Sequence, residues 1–328
     1  MNIGFFVRHF GERGTEVSVY DYANYNEEIL NNKSYIICFT QETQKMIGFP
    51  TVRHSYAKFA SRFQILEINN FSEMKDIIDK LNLSFFYTQT HGWKNDIYYF
   101  HIKNIWSKTK TIKHCIFDTA NPEGDYCISI SSHLNTVHST NIPVIPYIVH
   151  LPSLNEDLRN ELSIPTDALV FGRHGGICQF DIPIVHEAIK DFLNLNTNAY
   201  FLFMNTSKFY EHPRIIYLPV NVDIEYKTKF INTCDAMIHA RKMGETFGAA
   251  VAEFSVRNKP IITCNSGDIE HLLILGDKAV LYNSKEQLID IFKNIRTIIQ
   301  SKNDWNAYRE YTPEKVMNKF KNLIFDKH

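Results

Sequence analysis

The chain has 328 residues, 44% hydrophobic and 22% charged, with 35 basic and 36 acidic side chains and a formal net charge of -1. That length accommodates two domains of ordinary size, each with enough apolar material for its own core. A balance so close to neutral argues against a protein devoted to nucleic acid or to an anionic membrane surface, and no apolar run approaches membrane-spanning length.

The N-terminus enters an apolar strand directly over residues 2–7, without the basic and then apolar pattern of a leader. Six cysteines, Cys38, Cys115, Cys127, Cys178, Cys234 and Cys264, show neither metal-ligand nor redox spacing. Several lie in apolar strands, where a free thiol behaves as a small hydrophobe, so the expectation is a reducing, cytoplasmic setting. The 14 histidines form no H-E-x-x-H motif or His/Cys cluster, and no D-x-D triplet occurs, so no metal site is expected.

Strand-like stretches fall at residues 2–7, 34–39, 63–68, 84–89, 111–117, 126–130 and 143–147, with helical stretches near 15–31, 43–47, 72–81 and 98–106. This alternation predicts a parallel sheet covered on both faces. Residues 8–16 form a glycine-containing loop between the first strand and its helix, including Gly14. Such a loop brings backbone amides to a phosphate or sugar, or is an ordinary turn using glycine for its freedom. Its spacing is not the dinucleotide fingerprint and no acidic residue closes the second strand, which argues against a dehydrogenase. His91 ends the strand at 84–89, and Asp118 ends the strand at 111–117. Asp118 could hydrogen-bond a sugar hydroxyl, act as a base, or cap the turn that follows.

A polar, proline-bearing linker over residues 151–166, with a short helix at 155–162, separates the halves. The expected organisation is a first domain over 1–150, a second over 151–310, and a helical tail over 311–328. The second domain opens on Val170-Phe171-Gly172-Arg173-His174-Gly175-Gly176, followed by a helix with Pro183 in its first turn. A strand, a glycine-rich loop, an arginine and a helix N-terminus make a cradle for a diphosphate. Arg173 offers a two-pronged fork to phosphate oxygens, the alternative being a surface charge. Strands follow at 199–204 and 214–218.

Residues 235–265 then read as strand 235–239, a turn carrying Arg241 and Lys242, helix 247–257 and strand 261–263. Glu245 and Glu253 flank seven residues, the first at the helix start and the second about two turns along. The polar residues sit at the carboxyl end of a strand, where ligands bind in open parallel sheets. A solvated helix face is the alternative for the two carboxylates.

This stretch resembles the signature of retaining, nucleotide-sugar-dependent glycosyltransferases of the GT-B fold, family four: a Glu, seven residues, then a Glu, with Thr246-Phe247-Gly248 after the first. The resemblance implies an α/β fold of two Rossmann-like doubly wound domains facing a central cleft. The first would serve the acceptor, the second would bind the donor, and the tail over 311–328 would cross back to the first. It implies transfer from a UDP- or GDP-type sugar to a glycan or other hydroxyl acceptor with retention, without a metal or other cofactor. Arg173, with Lys242 or Arg241, would stabilise the leaving diphosphate. Glu245 would hold hydroxyls of the donor sugar, and Glu253 those of the ribose. Gly14, Gly172, Gly175, Thr246, Phe247 and Gly248 would line the donor, with His91 and Asp118 on the acceptor side.

Two positions depart from the family pattern. Cys178 stands where a second loop cation is expected, and Asp118 where many relatives carry a His. They leave open a degenerate protein that only binds a nucleotide sugar or glycan. A nucleotide-sugar epimerase of the same fold is a further reading.

Overall fold

The structure, a computed structural model, describes residues 1–11, 14–49, 51–102, 105–195 and 198–326. The chain divides into two compact units, Met1–Ile148 with Tyr311–His328, and Val149–Glu310.

The first unit runs β1 (Asn2–Val7), α1 (Gly14–Glu28), β2 (Lys33–Phe39), α2 (Gln41–Met46), α3 (Arg53–Ala60), β3 (Gln64–Ile68), α4 (Met74–Leu81), β4 (Leu83–Thr90), β5 (Lys110–Cys115), β6 (Tyr126–Ser129) and α5 (Ser132–Val137). Its six strands are ordered β3-β2-β1-β4-β5-β6 and all pair in parallel. After Asn2 the central strand β1 is apolar and buried to its end because helices cover both sheet faces.

Three expected elements differ. Residues 143–147 form no strand, only a single bridge from Val144 to Ser129. Pro143 and Pro146 lack the N–H that a ladder needs. Among the described residues of 98–106, only a 3-10 turn forms, Tyr98–His101. Tyr99 there stacks on Phe71 with ring centroids 3.8 Å apart, and tertiary ring packing wins over helix continuation. At 155–162 no helix forms. The Leu158 N–H is drawn 2.8 Å to Thr233 Oγ1 rather than to a preceding carbonyl.

The second unit runs β7 (Leu169–His174), α6 (Pro183–Leu195), β8 (Ala199–Met204), β9 (Ile215–Leu218), α7 (Ile224–Thr233), β10 (Ala236–Ile238), β11 (Gly244–Glu245), α8 (Ala249–Val256), β12 (Ile261–Thr263), β13 (Asp268–Ile269), α9 (Glu270–Leu275), β14 (Ala279–Leu281) and α10 (Lys285–Gln300). The six-stranded parallel sheet is ordered β14-β12-β10-β7-β8-β9. The chain leaves β7 toward β8 and β9, then returns on the other side at β10. The switch point therefore lies between the carboxyl ends of β7 and β10, where an open sheet leaves a crevice.

The last helix, α11 (Pro313–Phe320), is capped by Thr312 and packs into the core of the first unit. Its Phe320 ring lies 5.5 Å from Tyr22 and 6.0 Å from Tyr87.

Candidate functional site

Charged side chains of the second unit gather at the switch point. His174, the last residue of β7, stacks on Phe254 of α8 with centroids 5.6 Å apart, and its Nε2 lies 2.9 Å from Glu253 Oε2. Lys227 of α7 reaches the other oxygen, Oε1. Burial pushes the Glu253 carboxyl up, but Lys227 and His174 more than offset it and hold the group at about 2. Glu253 is thus an ionised carboxylate with a cation and an imidazole against it.

Glu245 is held in a second cluster. Arg241 Nη1 donates to its Oε2 at 2.8 Å, and His239 Nε2 lies 3.3 Å from Oε1. Burial again opposes ionisation, and the His239 contact together with the charge of Arg241 pulls the carboxyl below its ordinary value. His239 Nδ1 lies 2.9 Å from Thr263 Oγ1 at the end of β12, and that oxygen lies 3.2 Å from His271 Nε2 on α9.

The loop that carries Glu245 interlocks with the loop after β12. Strand β11 pairs with β13, and the Asp268 N–H donates to Met243 O at 2.8 Å. Gly244 and Gly267 both have positive φ. A Cβ on Gly267 would lie 2.1 Å from the Met243 carbonyl, so only glycine allows this approach.

Arg173 is buried at 4% exposure. Its guanidinium donates to Thr206 Oγ1 at 2.6 Å, to Asn205 O at 3.1 Å and to Gly176 O at 2.8 Å. It therefore ties the loop after β7 to the end of β8. Burial lowers its pKa to about 10, with Glu245 pulling the other way, and the group remains a cation at neutral pH. Asp181 joins this loop to the next one by accepting from the Lys242 N–H at 2.8 Å.

Arg173, Glu245 and Glu253 thus share one sheet end, with Arg241 beside Glu245 and Lys242 exposed on the same loop. Gly175 has φ 148 and lies against the Arg173 guanidinium, 3.0 Å from where its Cβ would be. Gly172 turns out to be a packing glycine. Its Cβ would fall 2.1 Å from Cys234 Sγ, on the face covered by helices. Phe247 is likewise a core ring, edge-on to Tyr308 at 5.5 Å, while Thr246 is buried beside it. Gly248, at φ 84, is the residue from which α8 starts. Cys178 is exposed.

The remaining predicted residues lie in the first unit. Gly14 opens α1, with open space around it; Glu12 and Arg13 of the same loop lie outside the described residues. His91 stacks on Trp93 at 4.4 Å and on Phe117 at 5.5 Å. Asp118 Oδ1 accepts from the Ala120 N–H at 2.7 Å, so it caps the turn after β5, and His138 Nδ1 lies 3.5 Å from the same oxygen.

Sequence reasoning missed His174, Lys227, His239, Thr263 and His271. Two of them carried a signal: His174 ends β7 beside Arg173, and His239 follows directly on β10.

No family model matches the chain, and no curated protein matches it by sequence. Its fold does match solved structures. Anabaena HepE in complex with UDP-glucose gives a TM-score of 0.72 over 98% of this chain and 99% of that one, at 14% identity. A glycosyltransferase from Rickettsia africae ESF-5 gives 0.66 over 99% and 96%, at 15% identity. A putative UDP-N-acetylglucosamine 2-epimerase from Listeria monocytogenes gives 0.60 over 97% and 94%, at 11% identity. The two parallel-sheet α/β domains are those of the GT-B fold. Among the described residues no helix is long and apolar enough to cross a membrane.

Proposed function

We propose that the protein is a glycosyltransferase that takes a sugar from a UDP- or GDP-type donor bound in its second unit and passes it to a glycan or other hydroxyl acceptor. The observation that carries this reading is the pairing of Glu245 and Glu253. Both are held ionised by cations or imidazoles at the carboxyl ends of β7 and β10. A carboxylate accepts up to four hydrogen bonds, so each can still take hydroxyls: Glu253 from a ribose, Glu245 from the donor sugar.

Breaking the anomeric C–O bond builds negative charge on the leaving diphosphate. Cations and amide dipoles then have to stabilise it. A guanidinium has five N–H donors, and the three bonds of Arg173 leave some for a phosphate oxygen. Lys242 and Arg241 supply further positive charge. On this reading no metal is needed, and attack from the face the nucleotide leaves gives retention. The acceptor falls to the first unit, near His91 and Asp118. A cytoplasmic site of action fits the free thiols of Cys38, Cys115, Cys127, Cys178, Cys234 and Cys264.

The test is calorimetric titration with UDP, GDP and their sugars, with and without EDTA, followed by product analysis. Binding to the wild type that Glu253→Ala weakens, with transfer unaffected by EDTA, supports the proposal. The likeness to a putative epimerase gives a second reading. Incubation with donor and no acceptor separates the two, because an epimerase alone yields a new nucleotide sugar. Binding without release of nucleotide on any acceptor would leave a sugar-nucleotide binding protein.

A further inference from the structure

One of the groups that hold Glu245 is itself held. His239 touches Glu245 Oε1 through Nε2 at 3.3 Å and Thr263 Oγ1 through Nδ1 at 2.9 Å. Thr263 Oγ1 in turn lies 3.2 Å from His271 Nε2. All four groups sit together at the ends of β10 and β12, and Thr263 and His271 are fully buried. The main chain of His239 is pinned as well, since the Tyr282 hydroxyl donates to His239 O at 3.0 Å.

Donor and acceptor rules leave one consistent arrangement for neutral rings. An ionised carboxylate only accepts, so the proton of His239 must be on Nε2. Nδ1 then accepts, and its donor is the single proton of the Thr263 hydroxyl. The Thr263 oxygen is left to accept, and its donor is His271 Nε2–H. Burial keeps His271 neutral, with its pKa pushed down to about 3. The chain thus runs in one direction, from His271 through Thr263 to His239 and on to Glu245.

We infer that His239 is the positioning residue for Glu245: the His271–Thr263 pair selects the imidazole tautomer that donates to Oε1, while Arg241 holds Oε2. This rests on the donor-binding role proposed above and adds to it. The network acts on the sugar half of the donor, because it touches Glu245 and none of the groups around Glu253.

The predicted signature is a split between turnover and nucleotide binding. Thr263→Val keeps the shape and removes the hydroxyl. It is expected to lower kcat about tenfold, the scale of one net hydrogen bond, while UDP or GDP binds as before. His239→Ala should lower kcat about 10²-fold, the scale of a misplaced reacting group. His239→Gln, whose amide N–H can stand in for Nε2–H, should recover most of that loss. Melting curves confirm that each variant is folded, and Thr263→Val serves if His239→Ala is not.

Turnover unchanged in both Thr263→Val and His239→Ala overturns the inference. So does an equal loss of nucleotide affinity and turnover, which would mark a structural role. Failure of the wild type to bind or turn over any nucleotide sugar is a different result: it removes the donor-site reading itself.

Discussion

At Arg173 a single guanidinium joins two loops. It bonds the carbonyls of Gly176 and Asn205 and the hydroxyl of Thr206, and so sets the floor on which the proposed diphosphate would rest. A lysine keeps the charge but has no planar fork. Arg173→Lys is expected to cost about 2–4 kcal/mol, since buried carbonyls lose their donors. Turnover should also fall by about 10²–10³-fold. Urea denaturation and a transfer assay check the two effects, and a lysine variant matching the wild type in both would show that the fork does not matter.

Buried histidines set the response to acid. His271 and His114 are both held down to about 3 by burial, from an ordinary 6.5. Their neutral forms favour the fold, so protonation favours the unfolded chain. Stability is complete above pH 6.5 and is lost as pH falls toward 3, by about 1.4 kcal/mol per pH unit for each ring. Glu253, lowered from 4.5 to about 2, adds a further loss between those values. The urea midpoint should therefore begin to fall near pH 6.5, well before ordinary carboxylates titrate. His114→Asn, which can still accept from the Tyr87 hydroxyl, should make that fall shallower. A midpoint flat down to pH 4.5 would contradict the assignment.

At the scale of elements, the signature helix α8 is placed by the loops around it. The loop over 240–248 and the loop over 264–269 lock together through β11 and β13. Gly267 sits at φ 62 with the Met243 carbonyl 2.1 Å from its missing Cβ, so Gly267→Ala must move main chain. It is expected to cost more than about 1 kcal/mol and to weaken donor binding together with stability. Gly14 is the contrast, with nothing within 4 Å and no positive φ. Gly14→Ala should leave the melting temperature unchanged or slightly higher. If its loop lies over the donor, turnover falls without loss of stability.

The elements also show where sequence patterns held and where they did not. The apolar runs within β1 and β7, residues 3–7 and 169–171, were legible because a strand segment buried on both faces has to be apolar. The stretch over 98–106 was not legible, because stacking of Tyr99 on Phe71 comes from outside its own window. At 155–162 the deciding partner, Thr233, is 75 residues away.

Over the whole molecule, each unit has its own core. The first core is completed by the end of the chain, where Val316, Met317, Phe320 and Ile324 are each no more than 1% exposed. Four such side chains are together worth roughly 6–12 kcal/mol, against a total of about 5–15 kcal/mol for a typical domain. A chain ending at residue 310 should therefore lose the folded first unit. Calorimetry would show the unfolding heat of one unit missing, and full heat in the truncated chain would refute the assignment.

The amino-acid order alone determined the two alternating halves, the two glutamates at helical spacing and the arginine after a buried strand. These are local facts, set by the 3.6-residue turn and by the apolar demand of a covered sheet. Only tertiary structure decided what holds those groups. Lys227 meets Glu253 across 26 residues, and Thr263 meets His239 across 24. Parallel strands are joined by crossovers, so residues that share a sheet end are far apart in the chain. Nothing in either neighbourhood announces the other, and the charge and tautomer of each site residue follow from that meeting.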